Sequence, residues 1–274
     1  MPDTSYEFLT DFFKNHLPFT PTAGQIDTFK ADLRLVSPFL MRASLLEVKA
    51  GTQGQAVAKR ATEWRPAIYQ VYNRKIAEHA QLFPIFHSFE TAFRSTVAVE
   101  LERHYDTVRW WDNVHKALRA GQLPRTVRAI GTTPLTRDAA DVIGRIIESI
   151  DGQNLQRNVV SGLNNGFEFV EQCDLGQIGF LIGKHWAVFS PLFVRGTKPL
   201  PLTEFVNKFV RVRDARNDVY HHKSVARMSQ IVATAEDLLD YLDFSLGFVC
   251  GKIDDSAPAA LTFAIPPASR HRTW

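Results

Sequence analysis

The chain has 274 residues, 45% hydrophobic and 22% charged, enough for a real core in one large domain or in one domain with an appended subdomain. A net charge of +3 does not by itself announce a nucleic-acid surface, because a basic footprint has to be local to matter. Two cysteines, Cys173 and Cys250, argue against a disulfide scaffold and fit a reducing compartment.

The N-terminus, MPDTSYEFLTDFFKNH, carries early acids and lacks a basic-then-apolar signal pattern. Residues 1 to 22 hold a short amphipathic piece (Phe8, Leu9, Phe12, Phe13) that ends at Pro18 and Pro21. From Gln25 to Val48 the apolar positions keep a helical period interrupted near Pro38, and Gly51-Thr52-Gln53-Gly54 reads as a turn. Residues 55 to 80 read as a helix bent at Pro66. Pro84 is expected to start a new one through about residue 105, with Phe86, Phe89, Phe93, Val97 and Leu101 buried. Glu90 and Arg94 on its flank are four apart and so within bonding reach.

Trp110-Trp111 is expected to close one end of the core. Gly121 to Thr136 reads as a loop with short helical pieces, Asp138 to Ile150 as a helix, and Asn158 to Gly166 as a turn region. Asp174 with Gln177 forms a capping-box pattern for a helix to about Ser190. The apolar run from His185 to Val194 is too short to span a bilayer, so a cytoplasmic protein with no membrane partner is expected. A helix over 203 to 223 and a last one over 224 to 248 complete the series. The Pro-containing tail 254 to 274 is expected to be loose. No stretch alternates with period two. The expected class is all-α.

The segment Arg211 to Lys223 concentrates three arginines, an asparagine, two aspartates and two histidines. At 100° per residue, Phe205, Phe209, Val212, Arg216 and Tyr220 share one stripe, so Arg216 is expected to continue a core-facing row. Asn217 and His221 lie four apart on the adjoining strip. Arg216 and His221 are five apart, roughly 140° round the helix, and therefore flank a ridge without meeting.

Arg216-Asn217-Asp218-Val219-Tyr220-His221 resembles the motif of the HEPN superfamily of ribonucleases: an arginine, a polar residue, then a histidine after four to six positions. With 21 arginines and 9 histidines that spacing alone arises about twice by chance, and Arg74-His79 and Arg109-His115 meet it too. The asparagine beside Arg216 and the placement near the end of a late helix single out Arg216-His221. Phe89 to Arg94, a following tyrosine, Trp110-Trp111, and Ile178 to Phe193 with Trp186 and Phe189 are similar to the N-terminal and middle blocks of Abi-like (AbiD/AbiF-type) members. The resemblance covers about residues 80 to 250. His221-His222 leaves open which histidine takes the family position, and the asparagine spacing favours His221. The 151 to 166 region, with its Gly152, Gly162 and Gly166, has no counterpart in the resemblance.

The resemblance implies a HEPN-like helical bundle at 81–253, with additional N-terminal helices at 1–80. It further implies a metal-independent endoribonuclease without a cofactor, acting in phage defence or as a toxin. The site would be catalytic Arg216, Asn217 and His221, with Arg211, Arg213, His222 and Lys223 contacting RNA. A homodimer with a composite site and an antitoxin or regulatory partner belong to the same expectation. Such a site needs no protein nucleophile, because the RNA supplies its 2′-hydroxyl and DNA, which lacks it, should resist. A histidine with an ordinary pKa near 6.5 exchanges protons at neutral pH, and an arginine holds phosphate in forked geometry.

The same residues admit other readings. Arg216 could be a structural arginine paired with Glu90 or Glu168. The two histidines could serve only the helix dipole. Asp214, Asp218, His221 and His222 have the spacing for a metal-dependent hydrolase, although a second helix would have to contribute ligands. A catalytically silent module that binds RNA, nucleotide or a partner protein is the remaining alternative. Trp110-Trp111 and the phenylalanine rows read as core rather than base-stacking platforms, and His79 and His115 as incidental.

Overall fold

The computed structural model describes residues 3–15, 20–53, 64–152, 158–223 and 225–246. The expected tail 254–274, Cys250 and the start of the expected 55–80 helix lie outside them. The described residues are mostly helical, as the period-3.6 patterning requires. No helix among them is long and apolar enough to cross a membrane. The described residues divide into two compact units: those within 1–83 and 216–226 form one, and those within 84–215 and 227–246 the other.

In the first unit, α1 (Asp3–Asn15) packs against α2 (Ala23–Asp32) and α3 (Pro38–Gln53). Thr22 caps α2 reciprocally with Gln25, satisfying two otherwise orphaned donors. The core is aromatic: Phe13 stacks on Phe29 with centroids 4.3 Å apart, and Trp64 meets Phe13 edge-on at 4.7 Å. Arg65 forks onto Asp32 at 2.7 and 2.9 Å, so this buried acid is paired. The helical end of α3 overrides the turn expected at Gly51; α3 runs through Gln53, and Gly54 lies outside the described residues.

A larger correction concerns Pro84. It does not start a helix but sits inside α4, one continuous element from Trp64 to Tyr105. The proline removes one backbone donor at a cost of roughly 3 kcal/mol. Leu82 on one side and Ile85 and Phe86 on the other are all buried, and burying three such side chains offsets that cost.

In the second unit, α5 (Asp112–Arg119), α6 (Arg137–Gly152), α7 (Gly166–Glu171), α8 (Leu175–Lys184) and the short α9 (Trp186–Phe189) precede α10 (Leu202–Tyr220), of which residues 202–215 belong to this unit, and α11 (Met228–Asp240). Trp110 and Trp111 are fully buried against Phe169, as their position closing the core requires. Phe89, Phe93, Phe193, Phe205 and Phe209 form a second aromatic knot. Arg94 and Glu90 pair at 2.6 Å along the α4 flank. Asp174 and Gln177 cap α8 reciprocally, the bonds their spacing predicts.

Two short antiparallel pairs depart from the all-helical expectation: β1 (Ala129–Ile130) with β2 (Thr133–Pro134), and β3 (Val194–Arg195) with β4 (Lys198–Pro199). Each closes around a glycine with positive φ, Gly131 or Gly196, and each is too short to show alternation. The helix expected from Asp174 to Ser190 stops at Lys184, because His185 leaves helical geometry at φ −110° and ψ 29°.

Candidate functional site

The Arg211 to Lys223 segment rides on α10. Its first turns bury Phe205, Phe209 and Val212. The buried row then passes through Ala215 to Val219, one step off the stripe on which Arg216 was expected. Arg216 therefore lies at the border of the buried face, half-buried, and Tyr220 next along its row is 41% exposed.

The side chains at the end of the helix hold one another. The Arg216 guanidinium lies over the Tyr220 ring, 4.1 Å from its centroid, and its Nη1 donates to Asn217 Oδ1 at 3.2 Å. Tyr220 in turn meets the ring of Phe83 edge to face, centroids 5.1 Å apart at 69°. His221 is exposed, and its backbone N–H donates to the Asn217 carbonyl at 2.9 Å, which keeps it in α-helical register. Asn217 and His221 thus share the strip that the sequence assigned to them.

The helix ends three residues earlier than expected, and His222 is the reason. It takes the left-handed conformation at φ +53°. Its N–H bonds the Val219 carbonyl at 2.9 Å, and the Lys223 N–H bonds the Asp218 carbonyl at 2.7 Å, the paired bonds of a left-handed helix cap. That position is normally glycine, so a histidine there carries a conformational cost. The Ser37 hydroxyl donates to the His222 carbonyl at 3.0 Å, and the Ser37 N–H donates to the Tyr72 hydroxyl at 2.9 Å, fixing the cap from outside. Between the two histidines, His221 extends the helical strip of Asn217 and His222 turns the chain.

The remaining basic residues named from sequence have different surroundings. Arg211 is exposed. Arg213 forks onto Asp214 at 2.7 and 2.9 Å, and Lys223 stands 3.4 Å from Asp218. The Glu168 carboxylate accepts from the Asn164 N–H, and Asn165 caps α7 by accepting from the Glu168 N–H.

Among the described residues no group of three or more His, Cys, Asp or Glu side chains could hold a metal ion. The Asp214 to His222 spacing assumed an unbroken helix, and the turn at His222 breaks that register.

Among the described residues three histidines are buried: His79 and His115, which read as incidental from the sequence, and His185, which reads there as the start of an apolar run. His79 is 6% exposed, and its pKa is pushed down by burial and then by the nearby His222. His185 is buried between Leu181 and Tyr105: Nδ1 contacts the Leu181 carbonyl and Nε2 the Tyr105 hydroxyl, both at 2.9 Å. A carbonyl can only accept, so Nδ1 carries the proton and Nε2 accepts from Tyr105. Burial lowers the His185 pKa to about 4, keeping it neutral. Its signal in the sequence was a lone histidine inside an apolar run. It stabilises a core break and offers no chemistry at the α10 end.

Protein-family models, curated proteins and solved structures were all compared with the chain, and none matches.

Proposed function

We propose that the chain is a metal-independent endoribonuclease that cleaves RNA through the substrate's own 2′-hydroxyl. The observation that carries this reading is the grouping at the end of α10. A guanidinium is held in place by Tyr220 and Asn217, and an exposed imidazole, His221, stands one turn above Asn217. The guanidinium can grip the scissile phosphate and offset the charge that grows on its oxygens. His221 takes the 2′-hydroxyl proton or returns one to the departing 5′-oxygen. The new 2′ O–P bond and the broken P–O5′ bond leave a 2′,3′-cyclic phosphate and a 5′-hydroxyl.

Arg216 and His221 lie roughly 140° apart round the helix, so one copy supplies the two groups on different faces. A homodimer in which one copy's arginine complements the other's histidine satisfies that geometry. The HEPN-like bundle, the Abi-like family, a role in phage defence or as a toxin, an antitoxin partner and a cytoplasmic setting rest on the sequence resemblance. Arg211, Arg213, His222 and Lys223 are proposed to contact flanking phosphates.

The test is incubation of the purified chain with RNA and with DNA of the same sequence in excess EDTA. RNA alone should be cut. Cleavage that stops in EDTA would contradict the reading and return the metal-dependent alternative. A second reading, a silent RNA-binding module, draws on the same cluster, because a cation stacked on an aromatic ring can bind RNA without cutting it. It predicts RNA affinity without cyclic-phosphate ends.

A further inference from the structure

Two large aromatic rings stand exposed at the end of α10, Tyr220 at 41% and Phe83 at 38%. Isolated exposed apolar side chains are ordinary, but these two meet at 69° and form a corner. The Arg216 guanidinium, the phosphate grip in the reading above, covers a face of Tyr220 at 4.1 Å. Phe8 and Phe39 of the same unit are as exposed or more so, at 41% and 51%, so what marks this pair is the corner it forms and the guanidinium on Tyr220, not exposure alone.

We infer that Phe83 and Tyr220 form a stacking platform for an unpaired base of single-stranded RNA next to the phosphate held by Arg216. This inference rests on the RNA-cutting reading of Arg216 to His221 and adds a specificity to it. A base laid on one ring meets the edge of the other, the arrangement aromatic quadrupoles favour. The guanidinium on Tyr220 brings a phosphate and the adjoining base to the same place. Every base has a face to stack, so the platform selects for strandedness and not for sequence. Bases inside an A-form duplex remain stacked on one another and cannot enter.

The experiment measures binding apart from cutting. Fluorescence anisotropy in EDTA follows a short 2′-O-methyl RNA, which has no free 2′-hydroxyl and cannot be cleaved, as a single strand and as a duplex. Tyr220→Leu and Phe83→Leu should each weaken single-strand binding by roughly ten- to a hundredfold. Tyr220→Phe keeps the ring and should stay within about threefold of wild type by the same stacking argument. Duplex binding should change little in all three. Circular dichroism establishes that each variant is folded. The two phenylalanine and leucine changes at 220 differ only in the ring, so a folding defect in one leucine variant leaves the other and Tyr220→Phe to decide.

Single-strand binding by folded Tyr220→Leu and Phe83→Leu at wild-type strength overturns the platform, as does a wild type that does not bind the single strand. Unmodified RNA, assayed in parallel for cyclic-phosphate ends, reports on the enzyme separately. Cutting with unaltered binding by the leucine variants removes the platform and leaves the nuclease. Ring-dependent binding without cutting keeps the platform and removes the nuclease.

Discussion

Along its first turns α10 buries Phe205, Phe209 and Val212 almost completely, whereas at its end Tyr220 and the following His221 and His222 are exposed and Arg216 is half-buried. Both ends use aromatic rings. At the first, Phe205 and Phe209 join a knot with Phe89, Phe93 and Phe193. At the second, Tyr220 carries a guanidinium on its face and an exposed ring at its edge. Removing a side chain from the first kind of place opens a cavity. Removing one from the second costs little packing and so separates function from stability.

The largest expected effect lies at the exposed end. His221→Ala and Arg216→Ala should each lower RNA cleavage by about a hundredfold or more while the melting temperature of His221→Ala stays near wild type. If the site is composite, mixing and refolding equal amounts of the two inactive variants restores activity, up to about a quarter of wild type, because half of the dimers are mixed and each of those regains both groups at one of its two sites. No recovery on mixing argues for a site within one copy. Next, Trp111→Ala should destabilise the folded chain by about 3–5 kcal/mol in a urea titration, since Trp111 is fully buried on Phe169.

A third effect is set by pH. His185 has a folded pKa lowered to about 4 against an unfolded value near 6.5. The unfolded chain therefore takes up a proton first as pH falls. Stability is greatest above about pH 6.5 and declines down to about pH 4, by on the order of 3 kcal/mol from this one group. Urea midpoints across that range should show the decline, and His185→Gln should flatten it. The smallest effect returns to the helix end: His222→Gly should stabilise the fold by ~1 kcal/mol, because glycine adopts the left-handed cap without a Cβ penalty.

Much of this contrast was legible in the sequence. The phase of Phe205, Phe209 and Val212, the Asp174-Gln177 cap, the Glu90-Arg94 pair and the burial of Trp110-Trp111 all follow from local spacing and apolar pattern. The misses have tertiary causes. Pro84 is a strong helix breaker whose effect is outweighed by burial on both sides. The early end of α10 needs a left-handed histidine, and no glycine or proline marks it. His185 looked like part of an apolar run because its partners, Leu181 and Tyr105, come from one turn back and from eighty residues away. The strip shared by Asn217 and His221 was readable. The corner made by Phe83 and Tyr220 was not, because those residues are far apart in sequence and each alone looks like an ordinary apolar position.

The central claim is that the end of α10 carries half of an RNA-cutting site. Its most direct test is to map the ends of RNA fragments left by the purified chain in excess EDTA, with His221→Ala alongside. The account predicts 2′,3′-cyclic phosphates paired with 5′-hydroxyls for the wild type and uncut RNA for the variant. Fragments ending in 3′-hydroxyls and 5′-phosphates, or equal cutting by His221→Ala, would contradict it.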